Sequence, residues 1–428
     1  ALGGDVDAGT AIDAGSRNCT QPPPSPGRCV PLPPRCGPDA GTGGGCFDTC
    51  EYHPPSGQLH SKVEWQWGYD PAPDEFPDSA DVWATPTVAR MYDANCDGKV
   101  DSNDPPNIVF VSGDAKETCC SCGGYVPSTC LTGVLRMLDG LSGKEIWSLD
   151  KPNATSLGFA GMSVALGNIF GDGQLEVVAM SGEGHIVVVN AYGQVMAESD
   201  LPVDGGNAGS FGWGGGIALG DMDGDGHPEI AYGRTLFSTT NGVITREWIG
   251  TGGLGGGNSS RALSYFIDVD PDLDNGIELL AGNVAYDATG TSVWPANTLL
   301  DGFTAVGDFD GDTQPEVVHV ASGQLHILEG ATGVVELGPL ALPGTGNGGP
   351  PTVADFNGDG EPEIGVANQN RYTVIKPDYA NTELDVLWWQ TNHDMSSSIT
   401  GSSVFDFDGD GRAEVVYNDE CFLWVYDG

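Results

Sequence analysis

The chain has 428 residues, with 60 Asp plus Glu against 16 Lys plus Arg, a formal charge of −44 at pH 7. That acid excess excludes a general affinity for DNA, RNA or anionic lipid, which depends on clustered Lys and Arg. No run reaches the ~18 consecutive apolar residues of a membrane span, and a single core stops growing near roughly 250–300 residues, so the chain must be divided or repetitive.

Residues 1–61 are dominated by Gly, Pro, Asp, Ala and Cys, with DAG at 7–9, 13–15 and 39–41 and PPPSP at 22–26. Such a composition cannot bury enough apolar surface to fold alone. Residues 1–18 are expected to form a tether or anchor, and 19–61 a small segment stapled through Cys19, Cys29, Cys36, Cys46 and Cys50. Eleven Cys in two groups fit a mature protein in an oxidising compartment, secreted or at the cell surface.

From residue 62 onward, short runs rich in Val, Ile, Phe and Tyr alternate with Gly, Asp and Asn, a strand-and-turn pattern without helical periodicity. An acidic loop recurs, starting at 93, 168, 221, 268, 308, 355 and 406, as in GDMDGDGHPE, GDFDGDTQPE, ADFNGDGEPE and FDFDGDGRAE. The spacing suits one four-stranded propeller blade per copy, about 40–50 residues each. The fold class is therefore all-β, a seven-bladed β-propeller over 62–428. Strand A, innermost, runs into the acidic loop, strand B leaves it, and C and D follow. The seventh copy ends before its fourth strand, so Lys62–Gly68 (KVEWQWG), which resembles DVLWWQ at 385–390, is predicted to pair with 421–426 and close the ring, since an open edge invites aggregation.

The loops carry the chemistry. In FDFDGDGRAE, Asp406, Asp408, Asp410 and Glu414 occupy positions 1, 3, 5 and 9, and intervening glycines supply backbone angles barred to other residues. Converging carboxylates repel one another, and a hard dication with a flexible oxygen shell removes that cost; Ca²⁺ suits this better than Mg²⁺. The same set recurs as Asp221, Asp223, Asp225, Glu229, as Asp308, Asp310, Asp312, Glu316, and with one amide as Asp355, Asn357, Asp359, Glu363. The first loop, Asp93, Asn95, Asp97, Asp101 and Asp104, is longer and closer to a full EF-hand loop. The fourth has an insertion, leaving Asp268, Asp270, Asp272, Asp274 and Glu278 as ligands to choose among. In the second, Phe170 takes position 3, so Asn168, Asp172 and Glu176 should make a weak or empty site. About five to seven Ca²⁺ ions are expected, at the affinities of extracellular modules.

The motif DxDGDGxxE in seven copies resembles the FG-GAP or VCBS-type calcium-binding β-propeller, seen in integrin α-chain heads and bacterial surface proteins. The resemblance implies the fold and the metal, and its members include adhesion modules, lectins and polysaccharide lyases. Long, charge-poor segments joining D to the next A line the opposite rim, where Trp83, Trp213, Arg261 and His393 are candidate anchors for a sugar or peptide. Cys96 should pair with the five tail cysteines, while Cys119, Cys120, Cys122, Cys130 and Cys421 form a second group, with zinc at Cys119-Cys120-x-Cys122 the alternative. No His or Lys constellation marks a catalytic site. The expected function is a calcium-stabilised binding or assembly module for an extracellular protein or glycan, without catalysis; a polysaccharide lyase or a structural subunit are the alternatives.

Overall fold

A computed structural model describes residues 63–113, 133–206, 213–256, 261–270, 276–295, 298–394, 400–419 and 422–428, together with the backbone of 120–121 and 124–125. The tail cysteines, Cys119, Cys122, Cys130, Cys421, Asp272 and Asp274 lie outside them, and Cys120 and Trp213 are placed by backbone alone.

Seven antiparallel sheets follow one another in the order A-B-C-D, a seven-bladed propeller. Strand B of every blade is an almost wholly buried run, Asn107–Gly113, Glu176–Met180, Glu229–Tyr232, Glu278–Ala281, Glu316–Ala321, Glu363–Asn368 and Glu414–Asn418. Both its faces pack on neighbouring blades, so strand B reads as continuous Val, Ile and Ala instead of alternating. Strand C is also buried, as in Ile186–Val189 and Gln324–Glu329, whereas strand D, as in Glu383–Thr391, is mostly exposed. Apolar clusters lie between blades, not within them: Val178, Met180, Ile186 and Val188 of blade 2 meet Ile230, Tyr232 and Phe237 of blade 3. Among the described residues, blades 4 and 7 have three strands each, and in blade 4 an isolated bridge, Tyr286 to Ser292, marks where a fourth would run.

A tryptophan pins each of several blades to the next. The Trp147 indole donates to the Ala191 carbonyl at 3.0 Å and covers Gly193; Trp248 does the same at Ala288 and Gly290, and Trp294 at Gly330 and Gly333. These turn glycines have positive φ and leave under 3.1 Å for a Cβ against the ring, so both geometry and space require glycine.

The predicted ladder between 62–68 and 421–426 is not formed among the described residues. In blade 7, Leu423–Tyr426 pairs with Glu414–Asn418 only, and Val63–Gly68 contains no strand. The segment instead binds blade 1 through side chains. Trp65 donates to the Gly140 carbonyl at 3.2 Å and covers Gly143, while Trp67 stands edge-on to Phe110 and against the buried Arg136. Trp65 thus uses the same turn socket that Trp147 fills from its own strand D. The repeat-like KVEWQWG motif marks that indole socket, where the sequence reading assigned a backbone pairing. Phe405, Leu423 and Val425 of blade 7 and Val88 of blade 1 remain exposed.

Blade 5 departs from the repeat at Thr313. Its φ of 77° falls where Gly226, Gly360 and Gly411 stand in other loops at 86–91°. A β-branched residue there is strained by about 1–2 kcal/mol. Its N–H still donates to Asp308, a bond glycine would keep. Thr313→Gly is expected to raise stability by about 1 kcal/mol after the added unfolded-state entropy is allowed for, measured by denaturant unfolding; no gain would show the strain to be absent.

Candidate metal centres

The acidic loops share one frame. In blades 2 to 7 the carboxylate of the first residue of strand B, Glu176, Glu229, Glu278, Glu316, Glu363 or Glu414, turns back and accepts the N–H of the second loop residue at 2.7–3.0 Å. This bond closes the hairpin and buries the glutamate beneath it. The first loop carboxylate spans the turn: Asp406 accepts from Gly409, Asp410 and Gly411, and Asp308 from Gly311 and Thr313. Positions 3 and 5 each accept the N–H two residues on, as Asp223 does from Asp225 and Asp225 from His227. These Asx turns fix the orientation of the carboxylates.

Among the described residues, carboxylate oxygens converge within 4.8 Å in four hairpins: Asp221, Asp223 and Asp225 of blade 3; Asp268, Asp270 and Glu278 of blade 4; Asp308, Asp310 and Glu316 of blade 5; and Asp406, Asp408, Asp410 and Glu414 of blade 7. Of the longer acidic run of blade 4, Asp268 and Asp270 lie in the cluster, while Asp272 and Asp274 lie outside the described residues. Asp312 stands outside the blade 5 cluster and accepts from Gln314. The buried glutamates of these hairpins are perturbed. Burial pushes the Glu316 carboxyl up to about 7, reinforced by Asp310, Glu336 and Asp308 and opposed by the Phe309 N–H. Glu229 and Glu414 move in the same direction, chiefly by burial.

Blade 1 is built differently. Its strands end at the pair Ala89 and Asn107, and the Asn107 side chain, fully buried, accepts the Met91 N–H in place of a glutamate. The longer loop between them winds around buried Asp104, which accepts from Ala94, Asn95 and Asp101. Asp93 accepts from Asp97 and Gly98, Asn95 from Asp97, and Asp101 from Asn103. Positions 1, 3, 5, 9 and 12 of an EF-hand-like loop are thus Asp93, Asn95, Asp97, Asp101 and Asp104. Cys96, within it, is in a disulfide.

In blade 2, Phe170 packs into the apolar cluster and His227 of the next loop lies against Gly171; Asp172 accepts from Gln174, and the Asn168 carbonyl is buried. Blade 6 holds a feature the sequence reading missed: Lys376, on strand C, sends its ammonium among Asp359, Glu361 and Glu363. The signal was present as a basic residue where strand C ends opposite the loop glutamate, but it becomes visible only once the strands are paired.

The four candidate anchors of the opposite rim sit on separate segments between blades. Trp213 lies in a short strand that pairs in parallel with Gly161–Ser163. The backbone carbonyl of Arg261 lies against Gly256, and Trp83 is half-buried. His393 engages blade 7, its N–H donating to Asp419 at 2.7 Å and its ring edge-on to Phe422. Asp419 also accepts from the Trp424 indole, and Tyr417 donates to buried Asp394 at 3.0 Å.

Residues 308–366, from the acidic loop of blade 5 through its strands B to D and into strand B of blade 6, match the FG-GAP-like repeat model. With seven blades around it, the chain is a seven-bladed β-propeller that carries an FG-GAP-like repeat. Among solved structures, it is similar in fold to the Vibrio cholerae biofilm matrix protein Bap1, with 17% identity, a TM-score of 0.61, and coverage of 86% of this chain and 82% of that one. It is also similar to the Bacillus licheniformis rhamnogalacturonan lyase PL11, with 16% identity, a TM-score of 0.47, and coverage of 83% and 74%. No curated protein sequence matches it.

Proposed function

We propose that this chain is an extracellular, calcium-stabilised binding module that holds a protein or glycan and performs no catalysis. The observation that carries this reading is the four hairpins whose carboxylate oxygens converge within 4.8 Å. Their oxygen-only donor sets fit Ca²⁺, which takes six to eight such ligands, and the loop Asp93–Asp104 would hold a further ion. Bound there, Ca²⁺ would supply charge neutralisation. The chain's own residues supply the cradle, with the Asx turns orienting the carboxylates and the strand B glutamates closing each hairpin. The Cys96 disulfide favours an exterior location. Bap1, the fold relative named above, is a biofilm matrix protein, and a matrix-assembly role is one form this reading takes. The rim opposite the metal loops is the proposed contact surface.

The test is binding of the purified protein to an array of neutral and acidic polysaccharides, with Ca²⁺ or with EGTA, while ultraviolet absorbance reports unsaturated uronate products. Saturable binding in Ca²⁺ without product is expected. Steady product formation would overturn the non-catalytic reading in favour of a lyase.

A further inference from the structure

The pairing register fixes which residue faces the loop glutamate from strand C, and it differs in chemistry among the blades. In blade 5, Glu316 is paired with Glu329, and in blade 1, Asn107 with Asp139. One residue past the last paired position of each ladder, the same place is held by Asn190 in blade 2, Ser238 in blade 3, Asp287 in blade 4 and Asp427 in blade 7. In blade 6 it is Lys376, opposite Glu363. Six blades place a neutral or acidic group there, and one a cation.

The ammonium goes where an ion would. Lys376 Nζ pairs with Asp359, with Glu361 at 2.9 Å and with fully buried Glu363 at 3.4 Å. The loop has adapted to it. Position 3 is Asn357, whose amide donates to Glu363 Oε1 at 2.6 Å, so a hydrogen-bond donor takes the place of a third carboxylate ligand. Arg412 of the blade 7 loop lies over Gly358, adding positive charge beside the hairpin. The carboxylates raise the Lys376 pKa, and Asp359 is lowered by the same contact.

We propose that the Lys376 ammonium is the resident cation of blade 6, standing where neighbouring hairpins take a divalent ion, so that this blade neither binds nor needs calcium. A tethered cation competes at the millimolar or higher effective concentration of an intramolecular group. Calcium arriving at Asp355 and Asp359 would have to displace it and then tolerate an ammonium a few ångströms away. The proposal rests on the reading that the other acidic hairpins bind calcium.

Calcium stoichiometry, by equilibrium dialysis with elemental analysis, tests it. Lys376→Met is expected to bind one ion more than the unaltered protein; equal stoichiometry overturns the proposal. A second pair covers poor folding of that variant. Asp359→Asn should leave the number of bound ions unchanged, while Asp223→Asn should lower it by one; a loss of one ion in Asp359→Asn overturns the proposal. If the unaltered protein binds no calcium, the calcium reading itself fails and takes this inference with it. Bound calcium with equal counts in the Lys376 pair sinks the inference alone.

Discussion

Chelation should lower the melting temperature of this protein by roughly 10–20 °C. In 10 mM calcium a site of dissociation constant near 10⁻⁴ M contributes about 2.7 kcal/mol to the folded state. Four convergent hairpins then give on the order of 10 kcal/mol, and at roughly 2 °C per kcal/mol for a large chain the shift follows. Calorimetry in calcium and in EGTA measures it, and identical melting curves would refute the metal reading. A paired variant sharpens the sign. In calcium, Asp221→Asn with Asp223→Asn should lose about one site's contribution, roughly 2–3 kcal/mol. In EGTA the same pair should be neutral or mildly stabilising, because Asp221, Asp223 and Asp225 are within 4.8 Å of one another and two of the repelling charges are gone. A destabilisation of equal size in both buffers would assign these residues a purely structural role.

The propeller was legible because the acidic loop marks two strand ends at once. Glu229, Glu316, Glu363 and Glu414 each pair with the last residue of strand A, so the motif fixes the register as well as the number of blades. Blade 1 shows where that logic ends. The structure puts its strand ends at Ala89 and Asn107, and an amide replaces the marker glutamate. Lys376 was hidden for a related reason. It contacts Asp359 across 17 residues of sequence, through a ladder whose register only the paired strands reveal. The segment 63–68 was recognised as repeat-like through its tryptophans, yet an indole on a glycine turn and a strand on a sheet edge leave much the same sequence trace. The rim opposite the metal loops gave the least, since its Gly and Ser segments carry neither periodicity nor fixed spacing.

Acid should destabilise the protein through one buried residue in blade 5. His319 is fully buried and faces His326 across the strand pair with ring centroids 6.2 Å apart. Burial, then the neighbouring His326, pushes its pKa down to about 4, against the opposing influence of the Leu300 carbonyl and the Asp301 carboxylate. The folded pKa is below the unfolded value near 6.5, so the native state holds the ring neutral. Its contribution is fully present above pH 6.5 and is lost as pH falls from there toward 4. At 1.36 kcal/mol per pH unit the loss amounts to about 3 kcal/mol. The acidic loops also respond to pH, so the decisive quantity is a difference between proteins. His319→Phe, unfolded by denaturant at saturating calcium from pH 7 to pH 4, should lack this share of the acid sensitivity. His326→Gln removes the neighbouring imidazole and should let His319 accept its proton at a higher pH. Stability curves that stay parallel for the unaltered protein and His319→Phe would mean that His319 does not hold a neutral ring at a cost to acid stability.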